Sequence, residues 1–308
     1  ERLRQGRRPE RDIVLAFLAD EEAGGKWGAH WLVDKHPELF EGCTEAIGEV
    51  GGFSVQVSND LRLYLIQTAE KGIDWLNLYA TGRPGHGSMI NNDNAVTTLA
   101  EAVGLIGRHR FPIQVTPTVR DFLEQISEVL DIDLDPNDPE LAIAKLGPIA
   151  NLIGATIRDT ANPTGLTAGY KMNVIPGKAS ATLDCRTLPG RSEALLEEIR
   201  GLVGDDITME YVQHKPALET TFDGPLVDAM AAALRAEDDG ARPVPYMLSG
   251  GTDAKAFSRL GMRCFGFSPL RLPAELNFAA LFHGIDERVP TEGLEFGVRV
   301  LDRFLRQS

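Results

Sequence analysis

Regular patterning begins with a continuous apolar run at residues 12–19 (DIVLAFLA). Such a run predicts a strand buried on both faces, as in a parallel sheet. Directly after it stand Asp20-Glu21-Glu22-Ala23-Gly24-Gly25. Residues 28–36 then read as a helix. Residues 44–48 (TEAIG) read as a second short strand, ending at Glu49 and the Gly51-Gly52 pair. Strand, acidic loop, helix, strand, acidic loop is α/β organisation. In open α/β sheets ligands gather at the carboxyl ends of strands, and both acidic spots fall there.

The texture changes near Gly72. Residues 73–81 (IDWLNLYAT) alternate like a half-buried strand. Residues 94–110 form an amphipathic helix preceded by the capping run Asn91-Asn92-Asp93. Residues 111–150 are Pro-rich and read as an extra segment with short helices of its own. Strands follow at 156–159, 165–170 and 179–186, then a helix at 192–203 and a strand at 207–213. Without the extra segment the succession is the ferredoxin-like β-α-β-β-α-β pattern with one short strand more. After about Thr220 the α/β character returns, with a helix at 224–237, a strand at 262–267 and an amphipathic helix at 292–307. The expected fold is therefore α/β: residues 1–71 and 215–308 make one domain, interrupted at 72–214 by an inserted α+β domain. The opening ERLRQGRRPERD reads as a helix end and a loop entering a strand, so an N-terminal part is expected to be missing.

Composition narrows the function. The chain has 308 residues, 43% hydrophobic and 25% charged, which suits about two soluble globular domains. Its net charge of −14 argues against nucleic-acid partners. That charge would also repel an anionic substrate unless a local cation captured it. No run reaches the roughly 18–20 apolar residues of a membrane span. Cys43, Cys185 and Cys264 are odd in number and far apart. They predict no disulfide framework and a reducing, cytoplasmic compartment.

Five constellations carry candidate chemistry, and each has a plain alternative. Adjacent Glu21 and Glu22 repel each other unless a cation binds one and the other moves protons; they also suit a solvated helix start. Glu49 before Gly51-Gly52 is a second acidic candidate, or an exposed residue of a turn. His86, in Gly82-Arg83-Pro84-Gly85-His86-Gly87-Ser88, sits in a tight loop and could donate to an oxyanion, or could be a loop residue without function. Ser249-Gly250-Gly251-Thr252-Asp253-Ala254 precedes a helix, whose free N–H groups bind anions or take an ordinary cap. His283 lies before Gly284 and could be a zinc ligand or a core residue. His30, His36, His109 and His214 read as structural or surface residues.

Taken in order, DEEAGG, an acidic residue before Gly-Gly, GRPGHGS, NVIP with a later DCR, GGTDA and a late HGIDE resemble the co-catalytic zinc exopeptidase/aminoacylase family. That family includes carboxypeptidase G, aminoacylase, succinyl-diaminopimelate desuccinylase and carboxypeptidase S. The resemblance covers nearly the whole chain. It implies a zinc-exopeptidase-like catalytic domain and makes the inserted domain a lid or dimerisation domain. It implies two zinc ions (cobalt or manganese being alternatives), with Glu22, Glu49 and His283 as ligands and Glu21 as the general base. His86 matches the residue that polarises the scissile carbonyl, which in dimeric members comes from the partner subunit. Asn173, Arg186, Gly251 and Thr252 match substrate-binding positions, with Arg186 a carboxylate clamp. The family's His-x-Asp motif and a further bridging Asp, upstream of the Glu pair, have no counterpart here, so the ligand set in this chain is incomplete. The expected function is hydrolysis of an amide bond in small peptides or N-acyl amino acids, with homodimerisation through the inserted domain. The alternative is a catalytically inactive binding protein that keeps the fold.

Overall fold

Ten consecutive residues, Leu61–Glu70 (LRLYLIQTAE), form the strand around which the chain is organised in the computed structural model, which describes residues 4, 6, 11–146 and 150–307. It is β3 of a six-stranded sheet that also holds β1 (Glu45–Gly48), β2 (Ser54–Ser58), β10 (Leu218–Glu219), β11 (Ala241–Leu248) and β12 (Arg263–Gly266). β11 runs parallel along the whole of β3. β2 pairs antiparallel with its first residues, β12 meets it at Gln67, and β10 pairs with its last two residues.

Alternation along β3 sends side chains to two cores. Leu63 and Leu65 join one with Phe53 and Val244. Tyr64 and Ile66 join another on the opposite face. The first is covered by α3 (Pro117–Leu130), through Val119, Phe122, Leu123 and Ile126. The short helices α4 (Pro139–Lys145) and α5 (Ala150–Ile153) add Ala142 and Ile153 to it. The second is covered by α7 (Pro225–Glu237) and α9 (Thr291–Gln307), through Met230, Leu234, Phe296, Val300 and Phe304. Residues 111–150, expected as an extra segment of the middle unit, thus lay their main helix on the six-stranded sheet. A strand covered on both faces should read as a continuous apolar run. β3 does not, because Arg62, Gln67, Thr68 and Glu70 are buried polar residues with partners. For this reason β3, and with it β2 and β11, are absent from the sequence expectation.

The second sheet is four-stranded, in the order β6-β8-β4-β9, with every pair antiparallel. Its members are β4 (Gly72–Thr81), β6 (Thr160–Ala168), β8 (Lys178–Thr187) and β9 (Ile207–Lys215). α2 (Ala95–Arg108) and α6 (Ser192–Val203) pack on one face, burying Leu99, Ile106, Leu195 and Ile199 against Leu76, Leu78 and Leu183. The expected α2 is present, and its cap is Asn94, which accepts from the Val96 amide. A two-residue ribbon, β5 (Gly85–His86) with β7 (Val174–Ile175), extends from this unit. α1 (Ala29–Lys35) and the single turn α8 (Ala254–Phe257) pack together beside β1.

Three expected strands differ. Residues 12–19 form no strand, and Phe17 is 95% exposed. An apolar run states a preference for burial, but a strand also needs neighbours to pair with, and none among the described residues pairs here. Residues 156–159 are a turn whose Asp159 accepts from the Leu188 amide and from Arg191. The strand expected at 165–170 is the longer β6, ending at Ala168. The three cysteines are free, and burial pushes the Cys185 and Cys264 thiols up to about 12. Among the described residues no helix is long and apolar enough to cross a membrane.

β3 is pinned at its start by a buried ion pair. Arg62 donates from Nε to Asp238 Oδ2 (2.5 Å) and from a terminal nitrogen to Oδ1, while Tyr64 donates to Oδ2 (2.8 Å). Burial pushes the Asp238 carboxyl up, but the Arg62 and Tyr64 hydrogen bonds outweigh it and hold it at about 2. Its folded pKa lies below the unfolded value of about 3.9. The pair therefore stabilises the fold above that value by about 2 kcal/mol, a contribution lost as pH falls from about 4 through about 2. Acid titration of the denaturant midpoint should show this loss in the native chain and a flattened profile in Asp238→Asn.

Candidate active site

The acidic turn is built by Asp20. Its backbone is left-handed (φ 55°), and its carboxylate accepts from the amides of Gly28 (2.8 Å) and Trp27 (3.0 Å). Its carbonyl accepts from Ala23 (3.0 Å) and Gly25 (2.7 Å), closing a 3₁₀ turn at Glu21–Ala23. Gly24 and Gly25 follow with φ of 99° and 67°, where a side chain would strain the backbone. The Asp20 carbonyl thus closes the turn that presents Glu21 and Glu22 in succession, and the Asp20 carboxylate ties that turn to residues 27–28.

Around this turn the chain assembles further acids. Glu49 lies just beyond β1, and Asp253 opens α8. Burial first, then the charges of Glu49, Asp253, Glu22 and Glu70, push the Glu21 carboxyl up to about 7. Burial, then Glu49 and Asp20, push Asp253 up to about 6, with Lys215 opposing. Glu22 pairs with His283, Oε2 to Nε2 at 3.3 Å, both side chains being largely exposed. His283 is held in a left-handed conformation (φ 57°).

The loop at Gly251 and Thr252 is anchored from below. Glu70, at the end of β3, is fully buried. It accepts from the Thr252 amide (3.1 Å), from the Thr252 hydroxyl and from Gln67 Nε2 (2.7 Å), and Lys255 Nζ lies 3.5 Å away. A Cβ on Gly251 would lie 2.8 Å from Lys255 Cε and 3.1 Å from Ile73 Cδ1, so a side chain there would displace the Lys255 chain. Lys255 also donates to the carbonyls of Lys71 (2.8 Å) and Pro216 (3.0 Å).

The remaining candidates lie on the four-stranded sheet and separate into two places. Arg186, near the end of β8, is opposite Ile73, which is opposite Lys215. Ile73 in turn lies beside Gly251. Arg186 already spends Nε and one terminal nitrogen on Asp184, at 2.6 and 3.0 Å. His86 and Asn173 are together on the β5–β7 ribbon, where the Asn173 carbonyl accepts from Gly87 (3.0 Å) and His86 Nδ1 lies 2.8 Å from Ser88 Oγ. That ribbon leaves the sheet where Gly82 bonds Gly177, at the other end of β4 and β8. The eight residue-to-residue steps of extended β8 from Lys178 to Arg186 span roughly 26 Å at about 3.3 Å each. One end of the sheet therefore carries Arg186 beside the acidic cluster, and the other carries His86 and Asn173.

The donor set tests the expected metal. Acids that push one another's pKa upward favour a cation among them, and the Glu22–His283 pair is already formed. Yet among the described residues no group of three or more His, Cys, Asp or Glu side chains is placed to hold a metal ion. These residues do not make a metal centre by themselves. Glu70, Asp253 and Lys215 escaped the sequence reading. Asp253 stood inside the quoted GGTDA segment, whereas nothing local marks Glu70 or Lys215.

A model of the peptidase family M20/M25/M40 matches residues 1–307. The chain belongs to this family. The resemblance read from motif order is borne out. Among curated relatives, the N-fatty-acyl-amino acid synthase/hydrolase of Xenopus tropicalis is 28% identical over 332 residues, covering 99% of this chain and 62% of that protein. Human aminoacylase-1 is 26% identical, covering 98% of this chain and 65% of its own length. The chain thus spans less than two thirds of these M20 relatives. Among solved structures, an M20 family metallo-carboxypeptidase from Sulfolobus solfataricus superposes with a TM-score of 0.60 at 18% identity, covering 94% of this chain and 68% of that one. Human carnosine dipeptidase 1 gives 0.60 at 14% identity, covering 93% and 64%. These structures establish a mixed α/β M20 fold with several sheets.

Glu70→Ala would leave the Lys255 ammonium buried and the Thr252 loop untied. We expect a loss of about 3–5 kcal/mol by equilibrium denaturation, with part of it recovered in Glu70→Ala/Lys255→Met. A loss below about 1 kcal/mol, the range of an exposed pair, would show that Glu70 does not anchor the loop.

Proposed function

We propose that this chain carries the base and part of the metal shell of an M20 hydrolase cleaving the amide bond of small peptides or N-acyl amino acids. The observation that carries the reading is the gathering of Glu21, Glu22, Glu49, Asp253 and His283 at one end of the six-stranded sheet, in a chain of this family. The aminoacylase and N-fatty-acyl-amino acid synthase/hydrolase relatives support an acyl amino acid as substrate.

In this reading Glu21 takes a proton from the attacking water and returns it to the leaving amine. Its half-buried place among other acids supports that role, because such a carboxyl holds and releases protons near neutral pH. Glu22 and His283, with Glu49, would contribute to two divalent ions, zinc first, completed by donors outside the described residues. Thr252 and Gly251 would line the substrate loop. Arg186 would bind the free carboxylate with the guanidinium nitrogen that Asp184 leaves unused. The four-stranded unit would act as an inserted ferredoxin-like lid.

His86 enters this scheme through a second copy of the chain. The length of β8 between it and Arg186 is too great for both to serve one site in one chain without a large rearrangement. A homodimer joined through the four-stranded unit would bring the ribbon of one copy to the acidic cluster of the other.

Two experiments on the whole protein test the reading. Glu21→Gln should lower kcat on N-acyl amino acids by about 10²–10⁴ while metal content stays at about two ions per chain. Glu22→Ala or His283→Ala should lose metal. Metal-free wild-type protein without turnover would favour the binding protein instead, and unchanged turnover in Glu21→Gln would remove Glu21 as the base. For the dimer, mixing inactive Glu21→Gln with inactive His86→Ala should restore activity, up to about a quarter of wild type for random pairing in which only one of two sites is intact. No recovery in exchanged mixtures would place His86 within its own chain's site or outside catalysis.

A further inference from the structure

At two chain crossings a strand of one sheet leads directly into a strand of the other. One is Lys71, between β3 and β4; the other runs from β9 to β10 through Pro216 and Ala217. Both crossings are tied down, and the ties lead to the acidic loops. Lys71 is buried, and its ammonium donates to the carbonyls of Ala155 (3.0 Å) and Arg158 (2.7 Å). Lys255 spans the pair, donating to the carbonyls of Lys71 and Pro216 while lying beside Glu70. His214 Nδ1 lies 2.5 Å from buried Asp74 Oδ1, and Asp74 also accepts from Ser192. Between these two fixed residues stands Lys215, the last residue of β9.

Lys215 does not point back into its own sheet. Its ammonium crosses to the acidic turn and donates to the Gly24 carbonyl at 2.7 Å. Gly24 is the residue that closes the Glu21–Ala23 turn. A Cβ on Gly24 would lie 3.1 Å from Lys215 Nζ, and the backbone there has φ of 99°. A side chain at Gly24 is therefore opposed twice, by backbone strain and by the approaching ammonium. Among the described residues Lys215 forms no ion pair with a carboxylate, although Asp253 feels its charge. Its direct partner is a backbone carbonyl, so it fixes the path of the turn.

We propose that Lys215 is a positioning residue, which ties the strand leaving the four-stranded sheet to the turn that bears Glu21. The position of one sheet relative to the other is thereby passed to the base. The tie runs through a single ammonium whose own strand is locked on both sides. A movement of the four-stranded unit at this crossing must either carry the turn with it or break the Lys215–Gly24 bond. The catalytic consequence rests on the reading of Glu21 as a general base, but the mechanical tie does not.

Hydrogen exchange on the whole protein separates the two. In Lys215→Met, which keeps the apolar stem, amides of residues 20–28 should exchange at least about tenfold faster, the effect of losing one hydrogen bond of about 1.4 kcal/mol. Amides of α6 should stay protected as in the wild type, which also reports that the unit is folded. Lys215→Arg, which keeps a donor, should restore most of the protection. Gly24→Ala probes the same contact from the other side and should reproduce the faster exchange of residues 20–28. If substrate is turned over, Lys215→Met should lower kcat roughly tenfold to a hundredfold with little change in KM, and Lys215→Arg should recover much of it. Wild-type exchange of residues 20–28 in Lys215→Met would overturn the proposal, whatever Gly24→Ala shows, because the backbone strain at Gly24 acts without Lys215. Faster exchange without any hydrolytic activity in the wild type would leave the tie standing and remove the proposed function.

Discussion

A carboxylate with no exposure to water, Glu70, is the constraint on which the architecture turns. A buried charge is tolerated only where hydrogen bonds and an opposite charge meet it. Glu70 meets this requirement with Gln67 from its own strand, both polar groups of Thr252, and Lys255. Satisfying it draws the 251–255 loop onto the end of β3 and places Asp253 beside the acidic turn. Lys255, committed to Glu70, is then placed to hold the two chain crossings. A core requirement for charge compensation therefore also organises the surface where the candidate chemistry gathers.

The same logic recurs at each junction. Arg62 and Asp238 fix the start of β3, Asp74 holds His214 and Ser192, and Asp159 holds Leu188 and Arg191. Apolar packing builds the three large cores, but apolar contacts have little directional preference. The buried ion pairs and side-chain-to-backbone bonds set register and the path of loops. This division explains why the acidic loops are held from beneath by polar contacts rather than by hydrophobic ones.

Strong periodicity made much of the fold legible. β4 alternates because helices cover one face only, and α2, α6, α7 and α9 carry clear apolar faces. The order of β4, α2, β6, β8, α6 and β9 could be read from these signals. β3 could not, since its polar residues mimic an exposed segment while lying in the core. At residues 12–19 the error ran the other way: composition demanded burial, and among the described residues only Leu18 packs, against Ala29, Val33 and Ala256. Glu21, Glu22, Glu49, His86 and His283 were legible as an ordered set. Their separation into an acidic cluster and a distant ribbon was not, because motif order along the chain carries no distance across a sheet.

By itself the sequence determined the family, the position of its acidic turns and the alternation of strands and helices, since each is written in residue types at short spacing. Tertiary structure decided the partners of buried charges and the helix that covers the six-stranded sheet. It also decided that Lys215 reaches Gly24, 191 residues away. Such contacts depend on which distant segments share one face of one sheet, and a local pattern of apolar and polar residues states only that a face must be buried, not what will bury it.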